Sequence, residues 1–103
     1  MHARTAIGKA SAVTPGQLTA FEVAGTRIAV ANADGQYYAF DEQCTHEQCS
    51  LVEEGVLDGT VLTCGCHGAQ FDIATGRVLT PPAVEPLKVY SLDVTGDDLL
   101  VDV

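Results

Sequence analysis

In this 103-residue chain all four cysteines and two of the three histidines fall in two short segments, Cys44-Thr45-His46-Glu47-Gln48-Cys49 and Cys64-Gly65-Cys66-His67-Gly68-Ala69. Each segment offers a thiolate and an imidazole, as C-x-H in the first and C-x-x-H in the second, with 17 residues between His46 and Cys64. Such spacings let one loop aim two side chains at a shared centre, and two loops then give four ligands. Four ligands complete either two sulfide-bridged tetrahedral irons or one tetrahedral zinc, so their number leaves both open. Their order favours the mixed-ligand iron cluster. Zinc sites usually draw their sulfurs as one close pair and their histidines as another, whereas here each loop contributes one of each.

The rest of the chain predicts an all-β domain. Turn dipeptides at Ala24-Gly25, Asp34-Gly35, Asp58-Gly59, Thr75-Gly76 and Gly96-Asp97 separate short apolar or alternating runs, the rhythm of antiparallel hairpins. No stretch sustains a 3.6-residue period over three turns. Thr26 to Ala31 sets Ile28 and Val30 on one face, Gln36 to Phe40 supplies Tyr37, Tyr38 and Phe40, and Leu99 to Val103 alternates with Asp102 turned away. These patterns predict strands with one buried face. Leu87 to Val94 also reads as a strand, but Leu87 and Val89 favour one register and Tyr90, Leu92 and Val94 the other, which leaves its facing open. Seven or more short strands must bury their faces on one another as a sandwich or small barrel. One domain is expected over residues 1–103, with cluster-binding loops at about 41–52 and 62–72 forming a subdomain of their own.

Composition narrows the function. A chain this short is expected to hold a redox centre but not a separate catalytic site for an organic substrate as well. The formal charge of −9 argues against nucleic acid and fits docking to a basic protein surface, although acidity also serves solubility. No apolar run approaches the roughly 20 residues of a membrane span. The first ten residues contain no apolar core or twin-arginine pair of an export signal, so a soluble cytoplasmic protein is expected. No nucleophile elbow or phosphate-cradling loop is present in the sequence.

The two segments resemble the cluster-binding boxes of the Rieske family, and the surrounding chain is similar to the soluble Rieske ferredoxins of ring-hydroxylating oxygenase systems. The similarity runs from about Gly35 to Val103: Asp34-Gly35 leads to Tyr38-Ala39-Phe40 before the first box, Gly68-Ala69-Gln70-Phe71-Asp72 follows the second, and Thr75-Gly76 and Pro81-Pro82-Ala83 come after. The resemblance implies one two-iron, two-sulfur cluster, with Cys44 and Cys64 on the buried iron and His46 and His67 on the outer one. It also implies a one-electron carrier, monomeric in isolation, between a flavin-containing reductase and a terminal oxygenase. Pro81 and Pro82 stand where the family has a proline-containing loop over the cluster, at about 80–84 here. His2 has no counterpart.

Two departures from the ferredoxin pattern matter. Cys49 and Cys66 match the pair that forms a disulfide in Rieske proteins of quinol-oxidising respiratory complexes, so the resemblance implies a Cys49–Cys66 bridge clamping the two loops. Those respiratory proteins also have a Ser and a Tyr after the second box whose hydroxyls bond the cluster and raise its potential. The matching residues here are Ala69 and Phe71, which carry no such donors, and Glu47 stands beside His46. A potential toward the low end of the Rieske range is expected. Two other readings predict different observations. A small Rieske subunit of a nitrite-reductase-like or arsenite-oxidase-like assembly would co-purify with a large subunit. A structural zinc domain would be colourless.

Overall fold

The computed structural model describes residues 4–23, 25–42, 50–65, 68–80 and 86–102, and these form eleven strands, one short α-helix and one 3₁₀ turn. Strands β1 (Arg4–Lys9), β10 (Leu92–Thr95) and β11 (Asp98–Asp102) make a three-stranded sheet in the order β1-β11-β10. Strands β2 (Leu18–Val23), β3 (Thr26–Ala33), β4 (Gln36–Asp41) and β9 (Val89–Tyr90) make a second sheet in that order. A third contains β5 (Gly55–Asp58), β6 (Val61–Cys64), β7 (Gln70–Asp72) and β8 (Val78–Thr80), and it follows helix α1 (Leu51–Glu54) directly. Every pairing is antiparallel. The architecture is the expected layered β fold, and among the described residues its sheets stay open rather than closing into a barrel.

The hairpins follow from local turn chemistry. Ala33 pairs with Gln36, leaving Asp34-Gly35 as a two-residue turn with φ of 54° and 89°. Two positive φ values are what a type I′ turn demands, and Asp-Gly supplies them at low cost. Asn32, nearly buried, accepts the Gly35 N–H at 2.8 Å and donates to the Val13 carbonyl at 2.9 Å, tying that turn to the chain before β2. The turn expected at Asp58-Gly59 lies one residue later. Asp58 pairs with Val61, so the two turn residues are Gly59 and Thr60, with Gly59 at φ 62°.

Strand β3 departs from its expected single buried face. Ile28 and Val30 join Val13, Ala39, Leu99 and Val101 in one core cluster, while Ala29 and Ala31 face a second one with Phe40, Leu62 and Phe71. The strand lies between two layers, which is why its residues 28–31 are continuously apolar rather than alternating. Alanines on the second face leave room for the larger side chains across from them. Each fully buried Phe, Leu or Ile in these clusters stabilises the fold by about 1.5–3 kcal/mol.

The conflicting registers of Leu87 to Val94 also have a physical cause. Val89 and Tyr90 pair with β4, whereas Leu92 to Thr95 pair with β11, so the chain changes sheet at Ser91. The Ser91 carbonyl accepts the Asp102 N–H at 3.0 Å at the crossing. Upstream of this point, Leu87 N–H donates to the Gly76 carbonyl at 2.7 Å. Gly76 sits at φ 82°, and a Cβ there would overlap the Leu87 carbonyl oxygen.

Gly76→Ala therefore combines a left-handed backbone with a main-chain clash and should cost about 3 kcal/mol. Gly16→Ala, at φ 81° with nothing within 4 Å of its Cβ, isolates the backbone term at about 1 kcal/mol. Apparent melting temperatures measured at one scan rate should fall much further for the first variant; equal losses would show that the Leu87 contact is unimportant.

Candidate metal centre

The second Cys/His segment starts where β6 enters the core. Cys64 is fully buried and is the last residue of that strand. Its N–H donates to the Ala69 carbonyl at 2.7 Å, and its carbonyl accepts the Gly68 N–H at 2.8 Å, with Gly68 at φ 79°. These bonds close a neck across residues 64–69, after which the chain returns as β7. Ala69 and Phe71 are also fully buried and lie in one cluster with Cys64, Leu51, Leu62 and Ile73. The thiol of Cys64 forms no disulfide.

The first segment is closed in the same way. Glu42 carbonyl accepts the Leu51 N–H at 2.7 Å, joining the chain two residues before the segment to the first residue of α1. Ser50 caps that helix, accepting the Glu53 N–H on its hydroxyl at 3.2 Å, and Leu51 is fully buried beside Cys64 in the core. On the other side of the neck, Glu42 is buried and its carboxylate pairs with Arg27 Nε at 3.1 Å, while Glu42 N–H donates to the Arg27 carbonyl at 3.3 Å. Asp41 N–H donates to the Lys88 carbonyl at 2.9 Å, and Tyr90 Oη donates to Asp41 Oδ1 at 2.5 Å. Lys88 Nζ lies 5.1 Å from the centre of the Tyr90 ring, a cation–π contact on the same knot.

Of the residues singled out from sequence, the structure brings Cys64, Ala69 and Phe71 together. Cys44, His46, Glu47, Cys49, Cys66, His67, Pro81 and Pro82 lie outside the described residues. Among the described residues no three His, Cys, Asp or Glu side chains converge as an alternative metal site. A buried thiol at the end of a core strand, beside a neck that returns the chain within five residues, fits the inward ligand of a centre held between two loops.

A family model described as the Rieske [2Fe-2S] domain matches residues 3–91. The chain belongs to the Rieske family. It is 43% identical over 90 residues to the biphenyl dioxygenase ferredoxin subunit of Pseudomonas sp. (strain KKS102), covering 87% of this chain and 83% of that one. It superposes on Sphingomonas yanoikuyae B1 ferredoxin with a TM-score of 0.91 and 30% identity, over 98% and 99% of the two chains. A third match, at TM-score 0.88 and 33% identity over 96% and 92% of the chains, comes from a complex of reduced oxygenase and oxidized ferredoxin in carbazole 1,9a-dioxygenase. One Rieske [2Fe-2S] cluster is the cofactor, and the structural-zinc reading falls. No helix among the described residues of this Rieske domain is long and apolar enough to cross a membrane.

Several supports of the Rieske site were missed in the sequence. Ser50 and Glu53 stand three apart, a helix-capping spacing that marks α1 despite its four residues. Asp41, Glu42 and Tyr90 gave no signal, because their partners come from strands distant in sequence.

Burial, and then the hydrogen bond to the Asp41 carboxylate, push the Tyr90 phenol well above its ordinary value. The folded value exceeds the unfolded one near 10, so this stabilisation is whole below about pH 10 and is lost as pH climbs through the folded value. Tyr90→Phe should lower the apparent melting temperature at neutral pH, with the gap to wild type closing only above about pH 10. A gap that is absent at neutral pH, or that closes below pH 9, would show that Asp41 does not hold the phenol in its protonated form.

Proposed function

We propose that this Rieske domain is the ferredoxin component of a ring-hydroxylating dioxygenase system, a soluble cytoplasmic carrier that accepts electrons singly from a flavin-containing reductase and delivers them to a terminal oxygenase. What carries this reading is the 43% identity to a dioxygenase ferredoxin over most of both chains. Catalysis on the organic substrate belongs to the oxygenase. The carrier is a monomer in isolation, and its charge of −9 suits a basic docking surface on each redox partner.

In this reading Cys44 and Cys64 hold the inner iron and His46 and His67 the outer one. The bound cluster supplies reversible one-electron chemistry. Two thiolates and two neutral imidazoles leave the oxidised centre without net charge, whereas four thiolates leave it doubly negative, so an added electron is easier to accommodate. Rieske centres accordingly span roughly −150 to +300 mV, against about −400 mV for plant-type ferredoxins. Cys49 and Cys66 form a disulfide that clamps the two loops, and Pro81 and Pro82 stiffen the segment after Thr80.

Electron paramagnetic resonance of the dithionite-reduced protein, with iron and sulfide assays, should give the mixed-ligand signal and two of each per chain. Ala at His46 or His67 should abolish the visible spectrum. Intact mass under non-reducing conditions should be lower by two hydrogens. Zinc without a signal would end the carrier reading, and a fully reduced mass would end the bridge alone.

Ala69 and Phe71 fill the space after the second box with carbon only, so no hydroxyl there favours the reduced cluster. The midpoint should fall toward the low end of the range, with Glu47 acting in the same direction. Ala69→Ser, adding one donor worth about 1 kcal/mol more to the reduced state, should raise a one-electron potential by roughly 40 mV. Protein-film voltammetry measures both. A wild-type midpoint well into the positive range would favour a respiratory role instead.

A further inference from the structure

Three polar side chains run in a row across neighbouring strands of the third sheet. Thr63 on β6 pairs with Gln70 on β7, and Gln70 pairs with Thr80 on β8. The Gln70 amide uses both ends: Nε2 donates to Thr63 Oγ1 at 3.1 Å, and Oε1 accepts from Thr80 Oγ1 at 2.8 Å. Thr63 and Gln70 alternate with Leu62, Cys64 and Phe71, which point into the core, so the two polar residues lie on the sheet's other face.

The row depends on an irregularity in the sheet. Phe71 pairs with Val78 and Gln70 with Thr80, which makes Leu79 an extra residue on β8. In a regular ladder Gln70 would face Leu79, which has no hydroxyl. The bulge brings Thr80 opposite the amide and leaves Leu79 44% exposed. An exposed leucine on a three-residue strand at the edge of its sheet is unfavourable in itself, so the aim of Thr80 is what the bulge gains.

Two members of the row adjoin the metal centre's frame, and the third reaches it through Gln70. Thr63 precedes Cys64, and Gln70 follows Ala69, whose carbonyl closes the neck. Thr80 is the last residue of β8. We propose that Gln70 is a positioning residue: its amide fastens both legs of the second ligand loop to β8, holding Cys64 in place for the cluster without touching it. This rests on Cys64 being a cluster ligand. Short edge strands open locally at low cost, and every such opening of β8 frees the edge of β7, which continues from the neck. The two side-chain bonds oppose that opening.

The test uses the cluster-loaded protein and follows bleaching of the visible spectrum in excess iron chelator, alongside amide hydrogen exchange of residues 64–72. Gln70→Met keeps length but loses both bonds, and it should speed cluster loss about tenfold and raise exchange at the neck. Thr80→Val should act in the same direction more weakly. Adding it to Gln70→Met should bring no further increase, since the bond it removes is already gone. Gln70→Glu, whose carboxylate accepts from both threonines, should stay within about twofold of wild type. Wild-type cluster loss in Gln70→Met, or additive effects in the double variant, would overturn the proposal. So would a lower melting temperature with unchanged cluster loss. If Gln70→Met does not fold, Thr80→Val alone decides by the same two readouts. A wild-type protein without a Rieske signal would instead defeat the underlying ligand assignment.

Discussion

The backbone hydrogen bonds of Cys64 to Ala69 and Gly68 are the constraint on which the site depends. A short loop is positioned mainly by the residues at its two ends. Its geometry is as fixed as its ends. Here one end is a fully buried core residue, and the chain is returned to β7 within five residues by two bonds under 3 Å. The Glu42–Leu51 bond does the same for the first segment. Both necks converge on one apolar cluster, because Leu51 and Cys64 pack in it together. Two segments far apart in sequence are thus anchored in one apolar cluster.

Those necks are in turn held by the layer beneath them. Strand β3 presents Ala29 and Ala31 to the cluster that contains Cys64, and Ile28 and Val30 to the cluster that contains Leu99 and Val101. It joins the two clusters by packing. Arg27, at the start of the same strand, adds a polar link through Glu42. Its Arg27 side is largely exposed while Glu42 is buried, so the pair's value lies in fixing where the carboxylate and the adjoining carbonyl sit. The Asp41–Tyr90 bond fixes the neighbouring residue to β9.

The parts legible in the sequence were those whose cause is local. Asp34-Gly35 and Gly96-Asp97 specify turns by backbone conformation, and the alternation at Leu99 and Val101 specifies a face. The family was legible because thiolates and imidazoles at close spacing have few other uses. What escaped was set by distant partners. The second buried face of β3 exists because a sheet formed by residues 55–80 lies on it. The change of sheet at Ser91 turns a contradictory pattern into two short strands, each correct for its own partner. The pairing of Gln70 with Thr80 needs a bulge at Leu79, and no local propensity marks that residue.

The apolar filling around Cys64 has a consequence for an electron carrier. A carrier must change charge by one unit repeatedly with little rearrangement, so groups that would reorient with each electron work against it. Ala69 and Phe71 are fully buried, contain no rotatable polar group, and lie in the same cluster as Cys64. The described amides and carbonyls that close the neck, those of Cys64, Gly68 and Ala69, are bonded to one another, hence fixed in direction. A hydroxyl at either position would stabilise the reduced centre and raise the potential, so its absence leaves the electron easier to give away. The same two side chains that fill the core beside Cys64 therefore also bear on the potential in the proposed role.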